Sequence, residues 1–440
     1  MAYATVPPTP FSELTPIMAY NLLLIGLSNI FWVPVANTFG RRIVFIVGAL
    51  TMTLSSLWAA KASSLPSLLG ARSVQAVGMG PSFTLPATVI SEVFFLHQAG
   101  RAIAVYTAAL AAGPVLGGIT GGYIASNAGV TAIWWISTGL SGGALCLILF
   151  LLPETMFDRT HYLRAEDSAP YSLATASGNK PEIQQDEGNI PVEENIAMGL
   201  TLWQAIRAGV YRPGFPRELV KPICTVPMPG VWVATLQVGS MVAGVVTMAT
   251  AGPQLLAVPP YSWGANVGLF NLGALVGMLM ALLCNYTIVD LLVRRRATQH
   301  ADGLVEAESR LPLSGPGLFL ATAGLLTFGF CAEHPGGSAW AGLVVGNGML
   351  TFGLVLVPGI VYAYIVDSYR PVAGDCFVVV GIVRSIISCV WTLYVVDWMH
   401  SIGPALIFGV FAIVLGVFSL LTVPLFVYGK RFRIATAKYF

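Results

Sequence analysis

Charge is what this sequence has least of. Only 10% of its 440 residues are Asp, Glu, Lys or Arg, while 56% are hydrophobic. A chain so composed has too little polar surface to cover a water-facing fold. Its charges nearly cancel, at +2, which gives no basis for nucleic acid as a partner. The cysteines (Cys146, Cys224, Cys284, Cys331, Cys376 and Cys389) form no C-x-x-C and lie mostly in apolar runs, so they read as small buried hydrophobes. The five histidines are scattered with no H-E-x-x-H, and no metal or cofactor is expected. There is no G-x-x-x-x-G-K-[ST] nucleotide loop, which argues against an ATP-driven pump, and enzyme readings fare poorly. The N-terminal "MAYATVPPTP" also lacks the basic region of a signal peptide.

What is present instead is long apolar runs. A helix needs about 20 such residues to cross a bilayer. Reading the runs between polar breaks predicts eleven spans, near 17–36, 42–60, 65–95, 102–124, 131–152, 223–250, 264–292, 313–331, 339–366, 376–397 and 403–427. They divide as five, a gap, then six. The expected organisation is an all-α integral membrane protein with an N-terminal bundle over 1–154, a cytoplasmic linker over 155–221 and a C-terminal bundle with its tail over 222–440. The linker is rich in Asp, Glu, Ser and Pro and is expected to be mostly disordered. Within it Leu200, Trp203, Ile206 and Val210 recur at helical spacing, as in a helix lying on the membrane surface or a plain loop helix.

The few charges are placed unevenly. If Arg41 and Arg42 face the cytoplasm, all of the 22 lysines and arginines except Lys61, Arg72 and Arg384 fall in cytoplasmic segments. That is the asymmetry of the positive-inside rule, and it puts the C-terminus in the cytoplasm. The halves also echo each other. Asn37 is followed by Arg41 and Arg42, and Asp290 by Arg294 and Arg295 at the same offsets, each set ending a span on the cytoplasmic side. Internal repeats are how many secondary transporters are built, with substrate bound between the halves near the midplane.

These segments resemble the major facilitator superfamily. "PVANTFGRR" is similar to its loop motif G-x-x-x-D-R-x-G-R-R, with Gly40, Arg41 and Arg42 matching and Asn37 standing for the usual Asp. "RSVQAVGMG", from Arg72, resembles R-x-x-x-x-x-G-x-G, and "GPVLGG", with Gly113, Pro114, Gly117 and Gly118, resembles the antiporter motif of proton-driven exporters. "LPETMFDR" resembles the P-E-T-x-x-x-R that closes the first bundle in many fungal members. The resemblance implies two helical bundles, here of five and six spans, and a monomer. It also makes the first span the family's second helix. Either this is an eleven-span protein or the start has been placed too late.

Arg41 and Arg42 anchor topology on any reading. The resemblance adds a latch holding the cytoplasmic side closed, with Glu92 as the expected partner, Arg101 nearby, and Asn37 weakening it for want of charge. Arg384 lies near mid-membrane, where a charge costs about 2.5–3.5 kcal/mol on insertion scales. It should therefore face a cavity or a partner, for substrate binding or for electrostatic structure. Arg72 lies nearer the outer face, where snorkelling suffices. Gly113-Pro114 should kink its helix and the following glycines should allow close packing; a role in controlling leak comes from the resemblance alone. Gln237, Asn271, Asn347 and Trp391 could contact substrate or bond a neighbouring helix. Glu92, Asp290, Asp367, Asp375 and Asp397 all fall near helix ends, so no proton carrier is identified.

The leading expectation is a secondary active, proton-coupled exporter of small organic molecules such as drugs or secondary metabolites, in the plasma membrane. Each proton crossing a potential of about 100 mV supplies about 2.3 kcal/mol. Uptake of polyamines or other organic cations ranks lower, because cation sites need buried acids. A degenerate, non-transporting membrane protein is the third reading.

Overall fold

The computed structural model describes residues 11–94, 96–155, 214–289, 291, 307–369 and 372–436. Every regular element among them is helical, as lipid demands: in hydrocarbon each backbone N–H and C=O must be satisfied within its own segment.

The first half contains α1 (Phe11–Phe39), α2 (Arg41–Lys61), α3 (Leu65–Val93), α4 (Leu96–Ala128) and α5 (Val130–Leu151). A short α6 (Phe215–Thr225) precedes the second half. There follow α7 (Pro229–Ala257), a 3₁₀ segment (Gly264–Phe270) running into α8 (Asn271–Leu283), and a π-helical turn (Cys284–Val289). A second 3₁₀ segment (Ala307–Ser314) leads into α9 (Gly315–Glu333), then α10 (Ala339–Ser368), α11 (Ala373–Ile402), α12 (Pro404–Leu420) and α13 (Thr422–Thr436). Ten helical segments are long and apolar enough to cross a membrane. The eleventh expected span, α3, has the length but carries Arg72, Gln75 and several Ser and Thr residues; it lies against α1, α2, α4 and α11, so its polar groups meet protein.

Span boundaries differ from the sequence reading by several residues at most ends, the expected span 403–427 is broken at Leu421 into two helices, and the largest shift is at the start of the second half. The expected span 223–250 begins instead at Pro229 and runs to Ala257, and residues 215–225 form a separate helix. Proline disfavours helix in the residue before it, and Pro227 and Pro229 bracket the break. α6 exposes Leu219, Val220 and Ile223 on one side and turns Glu218 towards α1, which makes it the amphipathic surface helix of the described chain. The surface helix expected around Leu200–Val210 lies outside the described residues, as does most of the linker.

The helix boundaries have local causes. Gly40 separates α1 from α2 at φ 100°, a left-handed conformation open to glycine and costly for other residues. This turn brings Arg41 and Arg42 to the end of the bundle where α3 ends, α4 begins and α5 ends, here called the basic end.

The halves are packed unequally. One large core in the second half includes Phe270, Phe328, Leu350, Tyr364 and Phe408, with Phe328 and Phe408 rings 4.6 Å apart. α7 lies inside it, against α10, α11 and α12. The first half has only small clusters, around Trp32, Val44 and Leu85 and around Ala59, Leu68 and Ala71. α5 has a single buried residue, Ser141. On α4 a Cβ added at Gly113, Gly117 or Gly121 would meet no described atom within 4 Å.

Candidate functional site

The halves meet at both ends. At the basic end α11 packs along α1 and α3, where Val378 joins Trp32, Val33 and Leu85 in one cluster; deeper, at the level of Arg384, Ser385 crowds Gly26 so closely that a Cβ there would lie 2.4 Å from it. The Arg101 guanidinium on α4 stacks 4.7 Å from the Tyr286 ring of the second half. Arg310, paired with Asp367 at 3.1 Å, reaches to within 3.1 Å of a Cβ placed on Gly100. At the opposite end Tyr123 donates to Asn266 Oδ1 at 2.9 Å. Beside it Gly118 and Gly122 meet Asn271, Ala265 and Gly268.

Between these contacts stands Arg384, at the middle of the membrane-spanning part of α11, Ala373–Val395. Its guanidinium lies 5.5 Å from the Phe83 ring of α3, and the Tyr362 hydroxyl of α10 is among its neighbours. Tyr106 of α4 donates its hydroxyl proton to the carbonyl of the same Phe83 at 2.7 Å. On α7, a Cβ at Gly239 would sit 3.4 Å from the Arg384 Cα. Five helices from both halves thus converge on one half-buried cation. Every described Asp and Glu lies in the first or last two turns of a helix or outside the spans, so none faces Arg384 at this depth. No group of three potential metal-ligating side chains comes together among the described residues.

The other intramembrane arginine is held within the first half. Arg72 donates to Gln75 Oε1 at 2.7 Å and lies 5.3 Å from the Trp134 ring. Gln75 in turn donates to Ser56 Oγ at 2.8 Å, and Asn21 donates to the Arg72 carbonyl at 3.1 Å. Four helices are pinned by this polar cluster, which is more than the snorkelling expected for Arg72 alone.

The remaining candidates fall elsewhere. Gln237 is fully buried and donates to the Phe418 carbonyl at 3.1 Å and to Thr422 Oγ1 at 2.7 Å, so it fastens α7 to α12 and α13. Asn271 sits at the α4–α8 contact against Gly118. Asn347 is buried within α10. Trp391 packs edge-on against Phe411 at 3.9 Å, towards α12.

The arginine loop has a partner that the sequence reading did not name. The backbone N–H groups of Arg41 and Arg42 donate to Glu154 Oε1 and Oε2 at 3.0 and 3.3 Å, and Arg42 Nη2 donates to the Leu149 carbonyl at 2.8 Å. Glu154, from the P-E-T segment, therefore caps α2, with its negative charge at the positive end of the helix dipole. Glu92 ends α3, but its side chain, like Asp290, Arg294 and Arg295, lies outside the described part. Asn37 is not uncharged in its surroundings: its Nδ2 donates to Glu218 Oε2 at 3.2 Å, and Glu218 pairs with Lys221. The carboxylate missing at position 37 is thus supplied by α6. Asn37→Asp would set two carboxylates side by side and is expected to loosen α6 by about 1 kcal/mol. Hydrogen exchange across Phe215–Thr225 should then quicken roughly fivefold, and unchanged exchange would refute the pairing.

The chain was compared with known proteins. Protein HOL1 of Saccharomyces cerevisiae is 24% identical over 94% of this chain and 79% of its own length. Multidrug transporter TPO1_1 of Candida glabrata is 23% identical over 95% of this chain and 69% of its own. Among solved structures, that of the human organic anion transporter MFSD10 superposes with a TM-score of 0.59 at 16% identity, covering 94% of this chain and 83% of that one; it shows a shared fold. The family model of the Major Facilitator Superfamily matches residues 10–392. Two helical bundles meeting around a central polar site, together with that match, place the chain in the Major Facilitator Superfamily of small-molecule membrane transporters.

Proposed function

We propose that this transporter exports small amphipathic organic molecules through the site around Arg384, by alternating opening of its two ends. The observation that carries the reading is the convergence of α3, α4, α7, α10 and α11 on one half-buried cation at mid-membrane, with separable contacts above and below it. A charge at that depth is retained at a cost of about 2.5–3.5 kcal/mol, and an aromatic surround of Phe83, Tyr106 and Tyr362 suits a substrate with an apolar body. The basic end faces the cytoplasm, because all but three of the 22 lysines and arginines belong to segments on that side, and the plasma membrane is its site of action. The proton electrochemical gradient supplies the energy. The protein acts as a monomer, as the resemblance to its superfamily implies.

Polyamine uptake is disfavoured by the same geometry: a polycation needs carboxylates at depth, and the described membrane interior offers an arginine. The test is retention of a panel of fluorescent amphipathic dyes (anionic, neutral and cationic) in cells overproducing the chain. At least one dye should be retained about tenfold less than in control cells, a change of about 1.4 kcal/mol in its distribution, and collapse of the proton gradient should restore it. Unaltered retention of every dye would end the efflux reading.

A further inference from the structure

The charge balance of the central site bears on what crosses and on what drives it. Arg384 has no carboxylate facing it among the described residues, yet it is only half-buried at mid-membrane. Its neighbours are a ring face, Phe83, and a phenol hydroxyl, Tyr362. Neither cancels a full positive charge. A planar guanidinium offers a rigid fork of N–H donors matched to carboxylate, sulfonate or phosphate oxygens. The group that completes this site is an anion, and since no described side chain brings one, the substrate must.

We propose that the exported molecules are organic anions with an apolar or aromatic body, whose acidic group docks on Arg384, and that the membrane potential drives them out. This rests on the efflux reading. The charge bookkeeping of a cycle follows. With a monoanion bound, the site is neutral and reorients without moving net charge. After release on the outer side the empty site carries one positive charge, and an inside-negative potential favours its return. One negative charge leaves the cell per cycle. At equilibrium about 100 mV excludes a monoanion roughly fifty-fold. No proton-carrying carboxylate is required, in keeping with the placement of every described Asp and Glu towards helix ends. The proton-motive force then acts through its electrical component.

The experiment uses the full chain in proteoliposomes loaded with 1-pyrenesulfonate, a permanently charged aromatic anion, or with a pyrenyl-trimethylammonium salt as a cation of similar frame. Potassium gradients and valinomycin set the potential, with equal pH on both sides. The expected result is protein-dependent efflux of the sulfonate that rises several-fold between zero and about 100 mV inside negative. Efflux of the cation should not exceed that from protein-free vesicles. Arg384→Gln should cut sulfonate efflux about tenfold, and Arg384→Lys, which keeps the charge but loses the fork, should fall between. The comparison of the two probes on the unaltered protein stands even if the variants fail to fold. Movement of the cation but not the sulfonate overturns the anion assignment and leaves efflux intact. So does sulfonate movement that needs a pH gradient and ignores the potential, or that survives Arg384→Gln at full rate. If neither probe moves, the assignment also falls; the dye panel in cells then decides whether efflux falls with it.

Discussion

Glu154→Ala is expected to lower the thermal midpoint of the purified protein by roughly 5 °C or more, the largest stability loss of any single surface-proximal change in the first half. The reasoning starts from α2. Its first two N–H groups, those of Arg41 and Arg42, have no partner inside the helix. Both donate to the Glu154 carboxylate, one to each oxygen. Bonds to a charged group contribute about 1.5–3 kcal/mol each, and two buried arginine side chains share the same environment. Removal of the carboxylate takes the acceptor from both amides at once, so a loss of about 2–4 kcal/mol is expected. Glu154→Gln, which keeps one acceptor oxygen, should fall about midway. Glu333→Ala is the comparison: that exposed carboxylate accepts only the Ala405 N–H, at 3.2 Å, and its loss should cost about 1 kcal/mol or less. Equal midpoints for Glu154→Ala and the parent would refute the cap.

The second large effect distinguishes two glycines in one motif. Gly118→Val should reduce transport about tenfold or more, while Gly117→Val should leave it within about twofold. A Cβ at Gly118 would stand 2.4 Å from Asn271 Nδ2, and its carbonyl lies 2.6 Å from a Cβ placed on Gly268. The two halves touch there through backbone, which cannot step aside, and overpacking of that kind costs about 1–3 kcal/mol or more. The bulk acts only when this end is closed, so it biases the protein towards states in which the halves are apart. Gly117, one residue away, meets no described atom within 4 Å. Transport rates of the two variants at matched membrane abundance make the test; similar rates would sink the idea that this face closes the outer end.

The architecture was readable in the sequence because bilayer thickness sets span length and because basic residues mark one side. The ten apolar segments of membrane-spanning length and the depth of Arg384 in its span follow from the first of these rules. The cavity assignments were less readable. Gln237 and Asn347 sit on apolar helices with the same period as Arg384, and hydropathy does not distinguish a polar group facing a cavity from one facing another helix. A charge differs from an amide in this respect, since the Gln237 amide nitrogen finds both its acceptors, one carbonyl and one hydroxyl, on neighbouring helices. The boundary at Pro229 was masked by the exposed apolar residues of α6, which prolong the hydrophobic run; the Pro227-Met228-Pro229 cluster was the available signal. The Asn37–Glu218 contact joins residues 181 positions apart, across a linker whose length conceals any local pattern. Glu154 was not named as a partner of the arginine loop, although the adjacent proline and the end of α5 already suited it to cap α2.

That cap has a consequence for biogenesis. Arg41 and Glu154 are 113 residues apart, and chains are synthesised at about 5–20 residues per second. The start of α2 therefore emerges roughly 6–20 s before the carboxylate that completes it exists. Through that interval three further helices must insert while the arginine turn stays unsecured, and the first bundle locks only when its final segment arrives. Glu154 thus serves as a completion signal for the first half. A ribosome stalled before residue 154 would present a bundle whose helices are inserted but whose basic end is still open to quality-control proteases.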